Sequence, residues 1–286
     1  MSAGAHTQAL PRIRPRPPLR AGVRLPLVAS LPAVVGLTFL VLPLVGLAVR
    51  APWGDVGSVL AEPAVLQSLW LSLWTSSLAT AVAVVVGVPL AWSLARGRVP
   101  GRRVVRAVVT LPLVLPPVVG GVALLMVFGR TGLVGSWLHR WFELSLPFTP
   151  AAVVMAQTFV AMPFLVVTVE GALRGADQRF EEAAVCLGAS RLTVLRRVTL
   201  PLVAPSVAAG AVLAWARALG EFGATVTFAG SFPGRTQTLP LSVYHALDQD
   251  PEAAIALSLV LLTVCVVVLV GLRGRWVGAG PAAVER

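Results

Sequence analysis

Residues 180–190 read Phe180-Glu181-Glu182-Ala183-Ala184-Val185-Cys186-Leu187-Gly188-Ala189-Ser190, and the chain continues through Arg191, Arg196 and Arg197 to Leu200-Pro201. The run is helical in propensity, with acids at its start and arginines at its end, as suits a helix dipole. Its setting decides the fold. Residues 173–203 connect two stretches, 144–169 and 198–216, that carry no charge at all. Some thirty residues between membrane helices are long enough for a structured element to which something docks. Gly188 is either a backbone break or a point where another surface needs close approach. From physics alone, an amphipathic connector on the membrane surface fits the segment as well as a docking element does.

Working outward, the charges cut the chain into six long uncharged intervals: 25–49, 63–95, 107–129, 144–169, 198–216 and 253–272. About 20 residues at 1.5 Å each cross a ~30 Å hydrocarbon layer, so each interval can hold one spanning helix. The fifth is interrupted by Arg217 and Glu221 before Phe222 to Gly230 resume the apolar character, and it reads as a helix from about Pro205 to Ala229 with two charges near its middle. Pro89, Pro112, Pro116 and Pro117 would damage a soluble helix, but membrane helices tolerate proline where neighbours satisfy the freed carbonyls. The composition agrees: 286 residues, 57% hydrophobic, 12% charged, with a mean hydropathy of +0.85. The expected fold is an all-α integral membrane protein of about six transmembrane helices, residues 25–272, with a basic tail at 1–24 and a short tail at 273–286.

All 23 basic residues are arginine, and 12 acids leave a net charge of +11. With the N-terminus in the cytoplasm, segments 1–24, 96–106, 173–197 and 273–286 are internal and hold 18 arginines. The other side then holds Arg50, Arg130, Arg140 and Arg235, beside six acids. That bias places both termini inside. It also removes nucleic acid as the reading of the charge, because the arginines flank membrane helices rather than gather on one face. The first 24 residues, proline alternating with arginine, read as an extended disordered tail. A cleaved signal peptide is the rival reading for residues 1–50, but the 25-residue apolar stretch exceeds the ~7–15 residues of a signal core. In the external loop 130–149, Trp137, Leu138, Trp141 and Phe142 share a helical face and suit an interfacial anchor.

Glu182-Ala183-Ala184, three residues, Gly188, nine residues, Val198, one residue, Leu200-Pro201 resembles the EAA loop of ABC importer permeases, with valine where isoleucine is usual. The resemblance implies a type I importer permease fold, in which this segment is a cytoplasmic coupling helix seated in a cleft of an ATPase subunit. Glu182, Ala183, Ala184 and Gly188 would be the docking surface, and Leu200 and Pro201 close the signature. Residues 111–120, Leu-Pro-Leu-Val-Leu-Pro-Pro-Val-Val-Gly, residues 216–225, Ala-Arg-Ala-Leu-Gly-Glu-Phe-Gly-Ala-Thr, and residues 232–240 are similar to molybdate permeases. Sulfate permeases share the Gly-Glu-Phe-Gly part, so molybdate, tungstate and sulfate stay open. The resemblance covers roughly residues 64–272 and implies an extracytoplasmic oxyanion-binding protein, a homodimer, a bacterial or archaeal plasma membrane, and no regulatory domain after the last helix.

The chain has no lysine, and a P-loop needs one to reach the terminal phosphates. ATP hydrolysis is therefore expected on a separate subunit. There is no Gly-x-Ser-x-Gly motif, and His6, His139 and His245 are scattered, so neither a catalytic set, a metal site nor a cofactor is expected. An intramembrane enzyme and a passive channel are the competing classes. A charge at mid-membrane costs about 2.5–3.5 kcal/mol on insertion scales, so Arg217 and Glu221, four apart on one face, need partners or water. They either pair with each other or line an oxyanion pathway. Gly220 and Gly223, with Ala214 and Ala218, offer small positions for close packing. Thr225 and Thr227 could add hydroxyls to the pathway, although a buried threonine in a membrane helix usually bonds its own backbone.

Overall fold

The structure, a computed structural model, describes residues 27–97 and 100–276, with side chains over 30–97 and 100–271; the expected basic tail and residues 277–286 lie outside the described residues. Residues up to Gly46 form one unit and residues from Leu47 a second. The first consists, among the described residues, of most of helix α1 (Leu27–Val49), which carries Pro32 and Pro43 and exposes Leu31, Leu37, Phe39 and Leu42. Such a helix satisfies its interior backbone groups internally except the carbonyls opposite its two prolines, and it offers apolar side chains to lipid.

The second unit begins with α2 (Val56–Ala61) and the long α3 (Pro63–Arg96). Next come α4 (Arg102–Val114), α5 (Pro117–Phe128), the short α6 (Gly135–Phe142) and α7 (Pro150–Gly175). Then follow α8 (Arg179–Cys186), α9 (Arg191–Val194), a π-helical turn at Leu195–Thr199, and α10 (Leu200–Leu219). The described residues end in α11 (Gly223–Phe228), α12 (Leu239–Gln249) and α13 (Pro251–Trp276). No strand forms among the described residues.

Among the described residues, five helices are long and apolar enough to cross a bilayer: α1, α3, α7, α13 and the continuous helix from Arg191 to Leu219. The interval 107–129 does not make the expected straight span. It forms α4 and α5, bent by 118° at the break between them, and counts as a sixth span only as a bent pair. The cause is Pro116-Pro117: the residue before a proline is driven out of the α region, and Leu115 and Pro116 both take extended backbone, with ψ near 131°. Single prolines inside helices behave as expected, Pro89 in α3 and Pro163 in α7 among them.

Helix α7 is the most enclosed span and packs against α3 and α10. Its Leu165 explains how the three backbones come close. A Cβ on Gly87 of α3 would stand 3.2 Å from Leu165 Cδ2, and one on Gly210 of α10 would stand 3.0 Å from Leu165 Cδ1. The leucine fills two slots that only glycine leaves open, the small-residue packing that membrane interiors favour. Val85, Val267, Val270 and Trp70 are exposed on the spans, as lipid-facing side chains would be. The charged ends of the spans are joined by ion pairs: Glu170 Oε1 receives Arg106 Nη2 of α4 at 2.6 Å and Arg174 Nη2 at 2.9 Å.

Candidate functional site

Between α7 and α10 the chain builds a compact element. Glu181 and Glu182 lie in the first turn of α8, where carboxylates complement the dipole. The helix then ends in a Schellman motif: Gly188 N–H donates to Val185 O at 2.9 Å and Ala189 N–H to Ala184 O at 3.0 Å. Gly188 has a φ of +82°, and nothing lies within 4 Å of the position a Cβ would take. Of the two readings of this glycine, the backbone break is realised within the chain, and the open space beside it leaves room for a second surface. Ser190 caps α9 by accepting from Thr193 N–H at 3.2 Å. From Arg191 the backbone is helical without interruption to Leu219, so Leu200 and Pro201 sit inside a rising helix rather than in a loop. Pro201 has no N–H to give that continuous ladder, and the π-helical turn at Leu195–Thr199, where Leu200 N–H donates to Leu195 O, lies just before it.

The two adjacent acids differ in burial and partners. Glu181 turns inward, its Oε2 3.5 Å from Arg96 Nε at the end of α3 and its Oε1 accepting from Thr199 Oγ1 at 3.1 Å. Arg96 also donates to Ala176 O at 3.2 Å. Glu182 is exposed and has no ion pair among the described residues. Ala183 is exposed beside it and Ala184 half-buried. The rim is more apolar than the small residues alone suggest: Leu187 is 89% exposed, with Phe180, Val185 and Leu192 exposed too. A cleft of about 410 Å³ runs under α8 and is bounded by Trp92, Glu181, Glu182, Cys186 and Arg191. The sequence assigns no role to Arg96, to Glu181 or to the exposed Leu187 and Leu192 in this element. The available signal was large apolar side chains in a segment outside the membrane.

The second place is a pair of broken helices. The expected helix from Pro205 to Ala229 is interrupted: α10 stops at Leu219, Gly220 and Phe222 leave helical geometry, and α11 restarts at Gly223. Arg217 therefore stands in the last turn of α10 and Glu221 in the break, not at the middle of a helix. Glu221 Oε2 lies 2.7 Å from Arg217 Nη1, an ionic contact without the N–H alignment of a hydrogen bond. Its Oε1 accepts from Ala224 N–H at 2.8 Å, so the same carboxylate also caps α11. Glu221 is 1% exposed, whereas the Arg217 side chain keeps 28%. Pairing is thus realised, with the guanidinium as the accessible partner.

Helix α11 is pressed against the start of α5, just beyond the other break. A Cβ on Gly223 would stand 3.0 Å from Pro117 Cβ and 3.1 Å from Val118 N, and one on Gly121 would collide with Thr227 and with Ala224 O. Gly223 is the close-packing residue expected of it. Gly220 is not: it is exposed and meets only Ala216 O of its own helix. Ala214 and Ala218 are fully buried. Thr227 bonds its own backbone, to Gly223 O at 2.5 Å, while Thr225, fully buried, has no partner for its hydroxyl. Gln157 of α7, also fully buried, leaves both amide atoms unpaired. It was invisible as a site in an otherwise apolar interval, although an amide there is itself the signal.

Residues 83–278 match the family described as binding-protein-dependent transport system inner membrane component. The molybdenum transport system permease protein ModB of Mycobacterium bovis is 49% identical over 251 residues, 88% of this chain and 95% of that protein. The protein of the same description from Escherichia coli K12 is 38% identical over 160 residues, 56% of this chain and 70% of its own. Among solved structures, a bacterial alginate ABC transporter in complex with alginate pentasaccharide-bound periplasmic protein aligns with a TM-score of 0.67 at 18% identity, covering 86% of this chain and 90% of that one.

Proposed function

The chain belongs to the family of binding-protein-dependent transport system inner membrane components, and from that premise we propose that it is the membrane-spanning permease subunit of an ATP-driven importer of a tetrahedral oxyanion, molybdate. The observation that carries this reading is the mycobacterial molybdenum permease, 49% identical over nearly all of both chains. A chain without lysine supplies no P-loop, so hydrolysis belongs to a separate cytoplasmic ATPase, and Glu182, Ala183, Ala184, Leu187 and Gly188 form the surface it grips. An extracytoplasmic binding protein delivers the anion, and a second copy of the chain completes a two-fold pore. The distribution of arginines supports an orientation with both termini and α8 in the cytoplasm.

The geometry supports a mechanical route. A displacement of α8 acts through Glu181 on Arg96 of α3 and on Thr199, which lies on the helix that rises unbroken into α10. Helix α10 ends at the break, where α11 is seated on the start of α5. Discontinuous helices meeting at a break are where transporters commonly place a path. There the partly exposed Arg217 offers a cation to a dianion that has shed water, and Glu221 holds that cation in place. The test is reconstitution with ATPase and binding protein in liposomes and measurement of labelled molybdate accumulation. ATP-dependent accumulation, displaced better by unlabelled molybdate than by sulfate, is expected. Accumulation without ATP would make the chain a passive channel, and stronger displacement by sulfate would move the substrate to sulfate.

A further inference from the structure

We propose that the hollow between the end of α5 and α6 is a receiving site for the oxyanion on the extracytoplasmic face, occupied as the anion leaves its carrier and before it enters the pore. The proposal rests on the orientation and substrate class given above. The hollow measures about 730 Å³ and is lined by Arg130, Thr131, Ser136, His139, Arg140 and Glu143. Two of the four arginines assigned to that face, both exposed, therefore border one open depression. Arg130 donates through Nε to His139 Nε2 at 3.1 Å, leaving both terminal nitrogens of its fork free. Arg140 has no hydrogen-bond or ion-pair partner among the described residues, although Glu143 lines the same hollow. Because His139 Nε2 accepts, Nδ1 carries the ring proton, and that nitrogen is buried without a partner. The lining thus offers two guanidinium forks and two hydroxyls against one carboxylate, an excess of donors that is the chemistry of a phosphate-shaped anion. At about 30 Å³ per water the space takes such an anion with much of its hydration shell, which suits transient rather than tight holding.

The frame of the hollow is rigid, as a site needs. Helix α6 is two-faced: Ser136, His139, Arg140 and Glu143 recur at i, i+3, i+4 and i+7, while Trp137 and Trp141 lie exposed on another side. Its approach to α5 is set by backbone contacts. Leu133 and Val134 N–H donate to Met126 O and Val127 O at 3.3 and 2.8 Å, covering carbonyls at the end of α5. Gly135 lies so close to Phe128 O and Gly129 O that no Cβ fits there. The short loop thus fixes Arg130 relative to the polar stripe of α6.

Arginine labelling by phenylglyoxal, read residue by residue by mass spectrometry on the full chain in nanodiscs, tests this without ATPase or transport. Molybdate, or sulfate as a second probe, should slow labelling at Arg130 and Arg140 about threefold at twice the dissociation constant, since only the empty site reacts. Arg50 and Arg235 should be unaffected, and chloride at matched ionic strength should protect none of them. Glu143→Gln, which removes the one opposing charge, should strengthen protection. In reconstituted transport, Arg130→Gln with Arg140→Gln should lower uptake at least about tenfold, since even one lost charge-assisted contact does so, with binding-protein docking unchanged. Equal labelling with and without oxyanion overturns the proposal even if transport itself is confirmed. Protection by the anion-free binding protein with none by the oxyanion overturns it too and makes these arginines docking contacts. If wild-type uptake fails while protection holds, the transport reading falls and the anion site stands.

Discussion

Glu221 is asked to do two things at once, and they separate under substitution. Its Oε1 caps α11 and its Oε2 neutralises Arg217. Arg217→Gln leaves an enclosed carboxylate unpaired, and the cost is about 2–3 kcal/mol, below the ~3–5 of a fully buried pair because Arg217 is partly exposed. Folded protein in the membrane should fall accordingly, measured by fluorescence-detected size exclusion. Adding Glu221→Gln should restore it, since the glutamine amide oxygen still accepts from Ala224. Uptake normalised to protein should nevertheless stay low in the double variant, because nothing then offsets the anion's desolvation. Full normalised uptake by that variant would reduce the pair to a structural role. The i, i+4 spacing made the pairing legible in the sequence. The capping was not legible, because it depends on a helix break that the apolar run on either side concealed.

At the scale of elements, α8 and its stop should be separable from membrane insertion. Gly188→Val forces a β-branched residue into left-handed backbone at a cost of roughly 1–2 kcal/mol, so the end of α8 should fray. Copurification of the ATPase and uptake should be lost while insertion is unchanged. Gly188→Asn, which tolerates that conformation, should retain most of both. Leu187→Arg leaves no core behind, because Leu187 is 89% exposed, and it should abolish ATPase capture without lowering folded yield. If Leu187→Arg captures the ATPase normally, the rim of α8 is not the docking surface. Elsewhere Gly223→Ala should cost about 1–3 kcal/mol through overpacking against Pro117, read as a lower melting temperature in detergent. The spans and the docking segment were readable because charge-free length and helix-stop chemistry are local. The bend at Leu115-Pro116 was not foreseen, since tandem prolines were read with the tolerance that single prolines enjoy. Which of Glu181 and Glu182 turns inward was also beyond the sequence, because the choice is made by Arg96 and Thr199, far along the chain.

For the whole molecule, orientation links every part of the account: hydrolysis can act on α8 only if α8 faces the compartment that holds ATP. Reporter fusions after Arg103 and Ser190 should be cytoplasmic, and those after Asp55 and Asp250 external, as the uneven distribution of arginines dictates. The chain supplies its own probe for the decisive segment. Cys186 is exposed on α8, and the other cysteine, Cys265, lies within α13. With Cys265 replaced by serine, a membrane-impermeant maleimide added to intact cells and to inverted membrane vesicles reads the position of α8 directly. The account predicts labelling of Cys186 in inverted vesicles and none in intact cells. Labelling in intact cells would put the element on the far side from the ATPase and contradict the account.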